Sequence, residues 1–81
     1  MGNREKLRQL LQDIFLLSDG EVSFEMRKED VETWDSLGVV SLAVGIQETF
    51  GYHFTPEEAV GLQGVGDIIR ILSAHGIRFD D

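Results

Sequence analysis

The residues with the most chemical promise are Trp34-Asp35-Ser36-Leu37, where a serine hydroxyl follows an acid at the mouth of a long apolar run, Leu37 to Phe50. A serine in that place is suited to being modified. Catalysis is a weaker reading: Ser36, His53 and an aspartate can be nominally grouped as nucleophile and base, but no strand-turn-helix elbow or oxyanion loop frames the serine. His53 and His75 have no metal-ligand spacing and no cysteine beside them, so neither a catalytic nor a zinc motif is present. Asp19-Gly20-Glu21 and Glu29-Asp30-Val31-Glu32 lack the alternating ligands, central glycine and terminal glutamate of a calcium loop. A plain structural reading stands beside the chemical one. Asp and Ser are both favoured N-cap residues, so the pair can simply cap the helix that follows.

That helix is one of four expected elements. Leu7, Leu10, Leu11, Ile14 and Phe15 recur at helical spacing and predict a first helix from about Arg4 to Leu17, with Asn3 as its cap. A long acidic connection follows to Asp35, with Val22, Phe24, Met26 and Val31 as core anchors and Trp34 as a core or loop anchor. From Ser36 to about Phe50 two apolar stripes appear. Val39, Leu42, Ala43, Ile46 and Phe50 share one face, while Leu37, Val40 and Val44 lie nearly opposite, with Ser41 and Glu48. The first stripe is a core face; the second is either a docking surface or packed beneath the Val22–Val31 loop. Gly51 closes this helix, Thr55-Pro56-Glu57-Glu58 opens a short third one with a capping box, and a fourth starts near Gly64–Gly66 and stops before Gly76. In that last helix Val65, Ile68, Ile69 and Leu72 form the buried face. No strand-like alternation is present, so the expected fold is an all-α, four-helix bundle with a long first loop and a short third helix.

Composition narrows the partners. A chain of 81 residues supports one domain, here 1–81 with a core over about 4–77, and buries only about 60% of its unfolded surface. Fifteen acidic against seven basic residues give a net charge of −8, which repels nucleic acid and anionic membranes and favours basic partners. No apolar window approaches the ~20 residues of a spanning helix, and no leader pattern is visible, so a cytoplasmic monomer without membrane insertion is expected. With no cysteine, hydrophobic packing holds the fold.

Asp35-Ser36-Leu37 and the following LGVVSLAVGIQETF resemble the attachment segment of acyl carrier proteins, and the resemblance extends from about Leu7 to Ile77. It implies the same order of helices and a 4'-phosphopantetheine arm, derived from coenzyme A, on Ser36. Asp35 is implied as the acidic residue recognised by the phosphopantetheinyl transferase that installs the arm. The helix end suits the phosphodiester so formed. The arm's thiol then holds acyl groups as thioesters, and enzymes that load and process them dock through basic and apolar patches on Leu37, Val40, Val44 and Glu48. The domain itself catalyses nothing and, on this reading, binds no metal.

Two departures shape the expectation. Carriers of primary fatty acid synthesis usually have a markedly acidic recognition helix, whereas Glu48 is the only charge here between Leu37 and Phe50. The acid is concentrated in 19–35, with Asp19, Glu21, Glu25, Glu29, Asp30, Glu32 and Asp35 against Arg27 and Lys28. This favours a specialised freestanding carrier of a polyketide, modified-lipid or envelope pathway. Peptidyl carriers usually have a glycine-rich lead and often a histidine before the serine; Thr33-Trp34-Asp35 favours an acyl over an aminoacyl cargo. The alternative of a different class is an acidic helical interaction module in which Ser36 is only an N-cap. Gly38 and Gly45 each weaken the second helix by about 1 kcal/mol, which predicts either close helix approach or an adjustable start near Ser36.

Overall fold

A computed structural model of the chain describes residues 2–79. Four helices are present: α1 (Asn3–Phe15), α2 (Ser36–Phe50), α3 (Pro56–Gly61) and α4 (Val65–Ala74). Two single 3-10 turns, Asp19–Glu21 and Lys28–Asp30, punctuate the long first loop. Among the described residues there is no strand, only an isolated antiparallel bridge between Arg27 and Gly64. The all-α bundle with a short third helix is therefore the observed architecture.

The core is built by the apolar faces read from the sequence. Leu7, Leu11 and Phe15 from α1 meet Leu42 and Ile46 from α2 and Val65, Ile68 and Leu72 from α4, all essentially without solvent contact. Each such side chain contributes about 1.5–3 kcal/mol relative to exposure. Loop residues Val31, Trp34, Phe54 and Leu62 close the gaps, and Phe79 packs beyond the expected end of the core at Ile77. Leu10, Ile14 and Ile69 are half-buried at its edge.

Two boundaries of α1 differ from expectation. Asn3 is not the cap: Gly2 occupies that position, and the Asn3 amide instead donates to the Arg78 carbonyl at 2.8 Å, tying the two ends of the chain together. The helix ends at Phe15 because Leu16 turns left-handed at φ 57°, with its N–H bonded to the Gln12 carbonyl. Elsewhere the turn chemistry acts as read. Gly51 at φ 78° closes α2, and Thr55 and Glu58 exchange the two bonds of a capping box ahead of Pro56.

The glycines inside α2 resolve as close approach. A Cβ on Gly45 would lie 2.6 Å from a Leu10 methyl, so the missing side chain lets α1 and α2 come together. A Cβ on Gly38 would lie 2.2 Å from the Thr33 carbonyl oxygen, so the first turn of α2 is seated directly on the loop that leads into it.

Candidate functional site

The segment before α2 is fixed from below. Thr33 Oγ1 donates to the Phe15 carbonyl at 3.0 Å, and the Trp34 ring stacks on Phe15 with centroids 5.0 Å apart. Asp35 then caps the helix: its Oδ1 accepts from Gly38 N at 2.9 Å, and its carbonyl accepts from Val39 N at 2.9 Å. Ser36 is therefore not the N-cap, which corrects that part of the structural reading. Ser36 is the first helical residue; its side chain is exposed, and its hydroxyl makes no hydrogen bond among the described residues. The N–H groups of Ser36 and Leu37 have no carbonyl one turn back to bond, which leaves two donors beside that hydroxyl.

Asp35 and Ser36 sit on the rim of a cleft of about 610 Å³ between α2 and α3. Its walls are mostly apolar: Val39, Val40, Ala43 and Val44 from α2 face Ala59 and Val60 from α3. Lys28 and His53 are its basic side chains. The volume lies within the range of small-molecule pockets, and the wall chemistry suits a hydrocarbon chain.

The wall supplied by α3 is held by a small polar cluster. Tyr52 OH donates to Glu58 Oε1 at 2.7 Å, and Thr55 N donates to the same oxygen at 3.0 Å. These bonds, the tyrosine's first, hold the Glu58 carboxyl below its ordinary range, and the same bond pushes the Tyr52 hydroxyl up. His75 lies against the Tyr52 ring at 4.4 Å, and His53 Nδ1 is 2.8 Å from Gln47 Oε1.

The second apolar stripe of α2 is uncovered. Leu37 is 76% exposed, and Val40, Val44 and Glu48 are also exposed, so the long loop does not lie over them. Val40 and Val44 border the cleft, whereas Leu37 stands outside it. Val60 across the cleft is 78% exposed and extends the same patch. Sequence reasoning missed it; the available signal was a large apolar residue in a six-residue helix with no buried face.

Comparison with known proteins gives this geometry a context. The chain is 32% identical over 65 residues to acyl carrier protein 2 of Ralstonia nicotianae, covering 80% of each chain. It is 30% identical over 71 residues to the acyl carrier protein of Clostridium acetobutylicum, covering 88% of this chain and 92% of that one. The chain belongs to the acyl carrier protein family. A further acyl carrier protein, from Coprothermobacter proteolyticus, is 25% identical over 71 residues, 88% of this chain and 87% of its own. No family model and no solved structure matches the chain. Its relatives support an acyl carrier role.

The residues around Ser36 fit the family's prosthetic group. An unbonded, exposed hydroxyl at a positive helix end, with the basic residue Lys28 on the same cleft, suits attachment of a phosphodiester. The apolar walls beyond it suit what such an arm carries.

Proposed function

We propose that this chain is a freestanding acyl carrier whose Ser36 Oγ bears 4'-phosphopantetheine. The observation that carries the reading is that Asp35, not Ser36, caps α2, which leaves an exposed serine hydroxyl with no structural role at the mouth of an apolar cleft. When bound, the arm supplies a thiol that holds acyl groups as thioesters and moves them between enzymes at high effective concentration.

The chain's own residues do the positioning. Asp35 sets the start of α2 and is the acid the installing transferase meets beside the serine. Ser36 and Leu37 N–H groups and Lys28 face the phosphodiester charge. Val39, Val40, Ala43 and Val44 shelter the first carbons of an acyl group from water. Leu37, Val40, Val44 and Glu48 form the docking face for acyl-loading and acyl-processing enzymes, and the acidic first loop steers their basic surfaces toward it. With a single charge on α2, docking through that helix leans on apolar contact, which favours a specialised pathway and an acyl rather than aminoacyl cargo. The domain holds and presents substrate without performing the chemistry, as a cytoplasmic monomer. Among the described residues no helix is long and apolar enough to cross a membrane.

The test is incubation with coenzyme A and a broad-specificity phosphopantetheinyl transferase, with intact mass as the readout. The reading expects a gain of one phosphopantetheinyl group in the native chain and none in Ser36→Ala. No gain with several transferases supports an interaction module instead.

A further inference from the structure

Trp34 is the chain's single tryptophan and is only 8% exposed, yet its indole nitrogen Nε1 is buried with no hydrogen-bond partner among the described residues. Native structures pair about 90% or more of buried polar groups, so an enclosed, unmatched donor calls for a physical reason. Packing does not supply one. The stack on Phe15, at 5.0 Å with the planes 14° apart, needs an aromatic ring but no N–H, and phenylalanine would serve it. What distinguishes the position is that Trp34 also lines the cleft that opens at Asp35 and Ser36.

We propose that the Trp34 indole N–H selects cargo: it donates to a carbonyl oxygen that the group tethered to Ser36 brings into the cleft. The inference rests on the carrier reading of Ser36. The indole nitrogen is a donor only, so its partner must be an acceptor. A neutral carbonyl fits better than an anion, because the walls are largely apolar and Asp35 stands at the rim. Trp34 precedes Ser36 by two residues and lines the same cleft, so the acyl end of a flexible arm anchored at Ser36 reaches this donor by folding back into the cleft.

Specificity follows from the unmatched donor. A saturated hydrocarbon entering this space leaves the N–H unpaired, whereas a correctly placed oxygen satisfies it, and sites with a buried donor discriminate against analogues that lack the acceptor. Because Nε1 is closed to solvent, the oxygen reaches it only as neighbouring side chains part.

A single tryptophan gives one indole cross-peak in a spectrum of ¹⁵N-labelled protein. It is recorded for the unmodified chain, the chain with the arm alone, and chains bearing a saturated acyl group or a β-keto acyl group of equal length, each checked by intact mass. The proposal expects the indole proton to move downfield and exchange more slowly in a loaded form. A change confined to the β-keto form identifies the oxygen as the β-carbonyl; the same change with the arm alone or with the saturated acyl group overturns selection of cargo. Trp34→Phe keeps the stack and removes the donor; once a thermal melt shows it folded, the thioester of the form that responded should be cleaved by hydroxylamine roughly 2- to 10-fold faster, the worth of one hydrogen bond. An indole signal unchanged across fully loaded samples overturns the proposal and leaves the carrier reading standing. Absence of any mass gain overturns the carrier reading, and the proposal with it.

Discussion

Replacing Gly38 by alanine should destabilise the protein, although alanine is by far the better helix former. Propensity alone predicts a gain of about 1 kcal/mol. Against it, the new Cβ would lie 2.2 Å from the Thr33 carbonyl oxygen and 3.2 Å from a Phe15 ring carbon. Backbone cannot rotate away as a side chain can, so the first turn of α2 must lift from the loop. That strains the Asp35 cap, worth about 1 kcal/mol, and the Thr33 hydroxyl bond to Phe15, worth about as much. Crowding against Phe15 adds about 1–3 kcal/mol. Set against the propensity gain, the net cost is about 2–4 kcal/mol, or very roughly 10–30 °C in Tm for a domain of this size. Urea melts followed by Trp34 fluorescence measure it directly. Gly45→Ala is the control: its Cβ meets the terminal methyl of half-buried Leu10 at 2.6 Å, which can swing aside, so the change should be within about 1 kcal/mol of neutral. A Gly38→Ala protein as stable as the parent would refute the seating of α2 on Thr33.

Three further outcomes follow from the same geometry. Asp35→Ala should cost about 1 kcal/mol and Ser36→Ala less than about 0.5 kcal/mol in the same urea melts, since only the aspartate caps α2. Leu16→Gly should gain about 1 kcal/mol by relieving a left-handed, exposed leucine, read as a rise in Tm. Glu58 is held below its ordinary value of 4.5, so its contribution is complete above about pH 4.5 and is lost as pH falls through the lower folded value. Glu58→Gln should accordingly lose less stability than the parent between about pH 5 and about pH 3, measured by thermal melts across that window.

How much was legible in the sequence depended on whether the cause was local. The start and end of α2, the capping box of α3 and the apolar faces of α1 and α4 are set by residues within a turn of one another, and they form as their residue types dictate. Asn3 misled because a side chain that favours caps found a carbonyl at Arg78, a neighbour only in space. Nothing near Leu16 signals a left-handed leucine. Ser36 was rightly placed at the head of α2, but which of two adjacent capping residues does the capping is a matter of geometry, and Asp35 takes the Gly38 N–H. The cleft, Val60 on its far wall and the unmatched Trp34 donor arise from how α2, α3 and the loop meet, so no pattern along the chain announces them.

The most direct measurement is tandem mass spectrometry of peptides from the protein isolated from its own cells. The account predicts phosphopantetheine on the peptide spanning Ser36, at Ser36 alone, with part of the population bearing an acyl thioester. Ser36 recovered only as free serine, or the arm found on Ser18, Ser23, Ser41 or Ser73, would contradict it.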